Sequence, residues 1–97
     1  MATYVMLMSF TEQGVKSAKE STKRAEAFKQ EAKKHGATVT EIFWTLGQYD
    51  AVTIVEAPDD VTMTALSLSL GTRGNVRTQT LRAFSETEMK TIIGKMA

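Results

Sequence analysis

The stretch that decides the fold is Trp44-Thr45-Leu46-Gly47-Gln48-Tyr49-Asp50. It separates two runs of β-prone residues, one over residues 38–46 and the other over residues 51–55. Gly47 tolerates a positive φ, and Asp50 can hydrogen-bond to nearby backbone, so both residues favour a turn. The sequence therefore predicts a β-hairpin at the middle of the chain.

The first arm of this hairpin alternates between two faces, as a strand does. One face is expected to carry Thr40, Ile42, Trp44 and Leu46. The other face is expected to carry Val39, Glu41, Phe43 and Thr45.

Two further strands flank the hairpin in the sequence. Residues 4–10 are apolar on both alternating sets, which is typical of a buried central strand. Residues 75–84 alternate but are more polar, which suits an edge strand or a surface facing a cavity.

Three helical segments lie between and after these strands. In the first, a turn after Thr11 and a break near Ser21 precede a narrow apolar stripe, and Gly36 ends the helix. That stripe consists of Ala25, Phe28 and Ala32. The second helix begins near residues 58–60, and its expected apolar side consists of Val61, Ala65 and Leu68, widened by Leu66 and Leu70. Ser85 and Glu88 have capping-box spacing and begin a short terminal helix whose apolar side is Met89, Ile92, Ile93 and Met96.

The element order is therefore β-α-β-β-α-β followed by a helix, which predicts one α+β domain over residues 1–97. Its architecture is ferredoxin-like, with a four-stranded antiparallel sheet. Two helices cover only one face of such a sheet, although the central strands are apolar on both faces. Either the sheet of a second subunit covers the other face, or the terminal helix folds across it.

The composition of the chain excludes several kinds of binding site. The chain has no Cys and one His, which excludes a disulfide, a thiolate metal site and a His/Cys zinc site within one subunit. A formal net charge of +1 gives no general excess of cations for binding nucleic acid or a membrane surface. We expect no metal and no cofactor, and cytoplasmic residence, because no targeting or membrane-spanning segment is recognised.

Three motifs together resemble the GYD-domain family of small bacterial and archaeal proteins. They are residues 4–11, the turn at residues 44–50, and residues 70–84, which include Leu70-Gly71 and the run from Gly74 to Phe84. The turn reads Gly-Gln-Tyr-Asp where the naming motif has Gly-Tyr-Asp. The resemblance implies a fold similar to the dimeric α/β barrel proteins, a group that includes cofactor-independent oxygenases, isomerases and ligand-binding regulators. It implies a fold and not a reaction.

The turn also supplies the leading candidates for a ligand site. Trp44 offers a flat stacking surface, and Tyr49 and Asp50 can exchange protons or anchor a polar group. The alternative is a structural hairpin, with the Trp packed in the core or in a subunit interface and Asp50 closing the turn. Arg77 and Arg82 lie on opposite sets of the fourth strand, so only one should face a cavity. That arginine would hold a carboxylate or enolate, or else form an interface ion pair.

Two other features carry less functional information. His35 lies at a helix C-terminus, where a dipole-stabilised cap is favoured over a catalytic base. The Gly-rich residues 71–75 follow a helix instead of opening one, so we reject a nucleotide site there.

The preferred hypothesis is a homo-oligomeric domain that binds a small aromatic or carboxylate-bearing molecule near Trp44, Tyr49, Asp50 and one Arg. The first alternative is a cofactor-independent enzyme that performs proton transfer or oxygenation on such a molecule. The second is a regulatory or assembly module without a pocket, which would bind an acidic partner through the basic segment at residues 16–34.

Overall fold

The computed structural model describes residues 1–97 and confirms the α+β, ferredoxin-like architecture. The elements are β1 (Ala2–Phe10), α1 (Glu12–Lys16), a 3-10 turn (Ala18–Glu20), α2 (Ser21–Lys34), β2 (Thr38–Trp44), β3 (Ala51–Ala57), α3 (Asp60–Gly71), β4 (Val76–Ala83) and α4 (Glu86–Gly94). The four strands form one antiparallel sheet in the order β2-β3-β1-β4. The two most apolar strands are therefore central and the polar strand β4 is at an edge, as predicted.

Helices begin and end where the sequence places its capping residues. Thr11 and Asp59 each accept a hydrogen bond from a backbone N–H in the first turn of the helix that follows. Ser85 and Glu88 form the predicted capping box of α4. The 3-10 turn before α2 confirms the predicted break near Ser21.

The core lies between one face of the sheet and helices α2 and α3. The predicted stripe of α2 is buried, and it consists of Ala25, Phe28 and Ala32. The largest fully buried side chains are Met6, Thr53, Val55, Met63 and Leu66. Burial of each large apolar side chain contributes about 1.5–3 kcal/mol to folding, so this layer is the main source of stability.

Strand β2 departs from strict alternation because it contains a β-bulge. The pairing with β3 shifts between Val39 and Glu41, which leaves Thr40 as an extra residue. Val39 consequently lies on the helix-covered face together with Ile42 and Trp44, and the predicted face for Val39 was wrong. The strand ends at Trp44, so Leu46 lies outside it and is fully exposed.

Helix α3 is rotated relative to the predicted orientation. Met63 and Leu66 are its buried residues, whereas Val61 and Leu68 are exposed by 80% and 67%. Leu66 and Leu70 of the predicted side pack in or against the core, whereas Val61, Ala65 and Leu68 were wrongly placed there. The reason is that this helix is apolar on most of its circumference, so periodicity alone selects no face. Tyr4 in β1 donates a hydrogen bond to Asp60, which ties the first turn of α3 to the sheet.

The second face of the sheet has no helix on it. Phe43 and Leu81 lie on this face and are 55% and 43% exposed, and their neighbours Val5, Leu7 and Ile54 are only half-buried. Helix α4 buries none of its residues, and the molecule measures 50 × 31 × 18 Å along its principal axes. The terminal helix therefore does not fold across the open face within one chain.

Each helix is too short or too polar to serve as a membrane span.

Candidate functional site

The main cavity lies on the helix-covered side, at the end of the sheet where the β2–β3 hairpin turns. It has a volume of about 350 Å³ and is mostly apolar. Its lining residues from the sheet and its loops are Met8, Phe10, Ile42, Trp44, Asp50, Ala51, Arg73, Asn75 and Val76, and helix α3 adds Leu70. Ligand-sized cavities with an apolar lining and few polar groups are the usual form of small-molecule sites.

Helix α2 supplies the other wall of the cavity. Ser21, Arg24, Ala25 and Phe28 are three or four positions apart, so they share one side of the helix. Ala25 and Phe28 belong to the predicted core stripe, which means that Arg24 lies beside the core and not on the solvated face. This spacing is the signal that could have identified Arg24 from the sequence.

The hairpin loop holds Trp44 and Asp50 at the cavity. Trp44 pairs with Ala51 at the end of the β2–β3 ladder, and its side chain points to the helix-covered side. The backbone N–H of Asp50 donates to the carbonyl of Met8 at 2.8 Å. The Asp50 carboxylate accepts from the backbone N–H of Phe10 at 2.7 Å. Asp50 is thus tied to β1 through both its backbone and its side chain.

Hydrogen bonds within the loop hold its shape. The backbone N–H of Thr45 donates to the carbonyl of Asp50 at 2.9 Å, and the Thr45 hydroxyl donates to the carbonyl of Tyr49 at 2.6 Å. Gly47 has a φ of 120°, a conformation that favours glycine. The positive φ predicted at Gly47 is therefore present, in a loop that spans residues 45–50. The predicted local hydrogen bond of the Asp50 side chain was wrong, because its carboxylate reaches Phe10 of β1 instead.

Tyr49 is separated from Trp44 and Asp50. Its hydroxyl donates to the side-chain carbonyl of Gln79 at 3.0 Å, and Gln79 belongs to the open-face set of β4. Tyr49 is absent from the cavity lining. The loop therefore directs Asp50 to the cavity and Tyr49 to the open face.

Neither predicted arginine of β4 lines this cavity. Arg77 pairs with Ser9 on the open face, whereas Arg82 pairs with Tyr4 on the helix-covered face, so the predicted opposition of the two residues is confirmed. Arg82 lies over the ring of Phe84 at 4.5 Å and 3.6 Å from a carboxylate oxygen of Glu88. These contacts join the end of β4 to α4.

The cations at the cavity are Arg24 and Arg73 instead. Arg73 forms an ion pair with Glu31 of α2, and the Ser69 hydroxyl also lies 3.3 Å from that carboxylate. Arg73 comes from the loop between α3 and β4, and no local pattern in the sequence places it near α2. The proximity of Arg24 and Arg73 results from the packing of that loop against the helix.

A second, more polar groove of about 380 Å³ lies between α3 and β4. It contains Tyr4 and Asp60, and the hydroxyls of Ser67 and Thr80 lie 3.1 Å apart beside them. Burial is the main cause that raises the pKa of the Tyr4 phenol to about 12, and the hydrogen bond to Asp60 acts in the same direction. The phenol therefore stays protonated at neutral pH and acts as a hydrogen-bond donor.

His35 caps a helix, and it belongs to no cluster of metal-binding side chains. The Nδ1 atom of His35 lies 2.9 Å from the carbonyl of Glu31 at the end of α2, which confirms the predicted helix cap. The structure contains no group of three or more His, Asp or Glu side chains arranged to hold a metal ion.

The fold and the open sheet define a class of protein, the α+β proteins with a ferredoxin-like sheet and one face free of helices. Within that class the chain belongs to the GYD domain family, whose model matches residues 4–93. The predicted resemblance is confirmed.

A relative from Thermus thermophilus is 34% identical over 84 residues, which cover 86% of this chain and 88% of the relative. Its name is "Glutamine synthetase and cystathionine beta-lyase binding protein". The crystal structure of TTHA0845, also from Thermus thermophilus, has a similar fold, with a TM-score of 0.57 and 23% identity. That similarity covers 88% of this chain and 95% of the solved one.

Proposed function

We propose that this chain is a protein-binding module that works as a homo-oligomer, with its copies joined through the open face of the sheet. The observation that carries the proposal is the apolar face left bare by the fold. Its half-buried centre consists of Val5, Leu7, Val52 and Ile54, with Phe43 and Leu81 exposed beside them. Large contiguous apolar surfaces are costly in water and mark contacts with other proteins.

Charged side chains lie around the edge of this apolar face and not at its centre, as they do in protein–protein interfaces. Glu41, Glu56 and Arg77 lie on its outer strands or at its strand ends, while the centre contains no charged side chain. An apolar centre with a polar rim excludes water from the centre of a contact.

Helix α4 provides a second uncovered apolar surface in the same chain. Met89 and Ile93 of this helix are 46% and 55% exposed, and Phe84, which precedes the helix, is 53% exposed. In a two-fold dimer, each subunit carries both of the patches that contact each other. This chain has two such patches, an uncovered sheet face and an uncovered helix. We therefore infer that a second copy covers the face, so that α4 of each copy adds to the contact.

A protein partner beyond the second copy is supported by the Thermus relative. That protein is named for binding glutamine synthetase and cystathionine beta-lyase, and the similarity extends over most of both chains. We propose that this chain likewise binds enzymes of these two kinds.

Self-association is tested by sedimentation velocity at micromolar concentration. We expect a dimer or larger oligomer for the native chain and a monomer for a Phe43→Lys, Leu81→Lys double variant. Leu68→Lys is the matched control, because Leu68 is likewise an exposed apolar residue but lies on the helix-covered side. A folded, monomeric native chain would reject the oligomer.

Enzyme binding is tested separately by titrating the chain against purified glutamine synthetase and cystathionine beta-lyase from the same source. Isothermal calorimetry should detect saturable binding to at least one of them. If the chain gives no heat of binding with either enzyme and co-migrates with neither, the proposed partners are rejected. The proposed oligomer is unaffected by that result.

A second candidate function is binding of a small molecule in the cavity beside Trp44. The observation that favours it is an apolar space of about 350 Å³ with polar groups at a few points. Native mass spectrometry of freshly purified protein reports a retained ligand directly. Proton-transfer catalysis in this cavity would have to use Asp50, because the lining contains no other carboxyl, imidazole or phenol.

A further inference from the structure

We infer that the cavity selects molecules with an aromatic or bulky apolar body and one carboxylate, and that Arg24 is the residue that holds the carboxylate. The inference rests on the second candidate function, a small-molecule site, and specifies its ligand.

Arg24 is positioned by neutral oxygen atoms and has no carboxylate partner. Its Nη1 lies 2.9 Å from the carbonyl of Ser17 and 3.1 Å from the Ser17 hydroxyl, and its Nη2 lies 3.4 Å from the Ser21 hydroxyl. No acidic side chain of the chain lies within ion-pair distance of it. A guanidinium has five N–H donors, so three contacts leave about two N–H groups for a ligand.

The other charged groups of the lining do not neutralise Arg24. Arg73 is paired with Glu31, whose carboxylate is not part of the lining. Asp50 directs an oxygen atom to the Phe10 N–H and has no cation within ion-pair distance. With Arg73 offset by Glu31, Arg24 is the guanidinium of the lining that has no carboxylate partner, and its free N–H groups favour an anion.

The remaining walls fit an apolar body. Phe28 of α2 lines the space with its ring, and Ile42, Leu70 and Val76 line it with aliphatic groups. Trp44 is 45% exposed, so one part of the indole remains free for stacking. A rigid guanidinium fork beside such walls binds a carboxylate in a defined orientation.

Trp44 is also the only Trp in the chain, so its fluorescence reports on this cavity alone. The test compares 3-phenylpropionate with the neutral 3-phenylpropanamide, which has the same body. We expect the native chain to bind the carboxylate at least about tenfold more tightly, as expected for one charge-assisted hydrogen-bonded contact. Arg24→Gln should reduce this preference to about twofold or less, and Arg24→Lys should retain part of it.

Lys95→Gln is the control, because it removes one exposed cation that does not line the cavity and has no ion-pair partner, and it should leave both affinities unchanged. Circular dichroism establishes that each variant is folded. Equal binding of the acid and the amide by the native chain would overturn the role of Arg24 but keep the cavity as a ligand site. Failure of both compounds to alter Trp44 fluorescence would overturn the carboxylate class and the small-molecule function together. Loss of the preference in Lys95→Gln would also overturn the assignment.

Discussion

The carboxylate of Asp50 accepts a hydrogen bond from the backbone N–H of Phe10 across a distance of 2.7 Å. The two residues are 40 positions apart in the chain, so this bond joins the hairpin loop to the end of the first strand. Both residues line the cavity. The bond therefore serves the fold and the shape of the candidate site together.

Replacement of Asp50 should show how much this bond contributes to stability. We expect Asp50→Ala to lower the free energy of unfolding by about 2 kcal/mol, since a half-buried N–H loses a charged acceptor. Asp50→Asn retains an acceptor oxygen and should lose less. Urea unfolding measures both changes, and equal losses in the two variants would contradict the hydrogen-bond explanation.

Gly14 should tolerate no side chain. A Cβ at this position would overlap the carbonyl oxygen of Asn75, where α1 crosses the loop before β4. We expect Gly14→Ala to cost about 3 kcal/mol, because rigid backbone must move to relieve the overlap. Gly71→Ala is the control: nothing lies near Gly71 at the end of α3, and Ala there should stabilise by about 0.5 kcal/mol. Similar thermal stabilities for the two variants would refute this explanation.

Replacing Thr53 with Val should stabilise the folded chain. Its side chain is fully buried in the core, and its hydroxyl has no hydrogen-bond partner. Thr53→Val keeps the shape and removes the unsatisfied group, which should raise the free energy of unfolding by about 1 kcal/mol. Thr80→Val should bring no such gain, because the Thr80 hydroxyl is hydrogen-bonded with Ser67. Chemical denaturation of the two variants provides the comparison.

Tyr4 should make the fold sensitive to alkali. Its pKa is raised to about 12 in the folded chain, mainly by burial, against about 10 in the unfolded chain. The folded state keeps the proton over a range in which the unfolded state has lost it. The associated stabilisation is therefore complete below about pH 10 and is lost as the pH rises toward about 12.

Absorbance of tyrosinate measures this pKa directly in a Tyr49→Phe background, where Tyr4 is the only tyrosine left. Asp60→Asn should lower the midpoint only in part, since the carboxylate is the smaller cause. A midpoint near 10 in the background variant would show that Tyr4 is solvated.

Much of the fold could be predicted because it depends on local chemistry. The caps at Thr11, Asp59 and Ser85 each act within one helical turn. Strand β1 is apolar on both faces, which by itself indicates a central strand. Gly47 could be predicted in the same way, because its loop needs a residue with a positive φ at that position. Trp44 and Asp50 lie at the two ends of that loop and both line the cavity, but Asp50 is held there by Phe10, 40 positions away in the chain.

The site required information that no local pattern contains. Arg73 reaches the cavity only because its loop packs on α2, and Tyr49 bonds to Gln79 across the open face. The pattern of α3 included Leu66 but not Met63, and it could not separate the buried residues from the exposed Val61 and Leu68, because apolar residues surround the helix.

The sequence by itself therefore determined the order of the elements, the capped N-terminal ends of the helices and the central place of β1 and β3, since these follow from preferences within a few residues. Only the tertiary structure decided the bulge at Thr40, the rotation of α3, the meeting of Arg24 and Arg73 beside Trp44, and the exposed position of α4. Those outcomes depend on packing between segments far apart in the chain, where the energies of many weak contacts compete and no single residue settles the result.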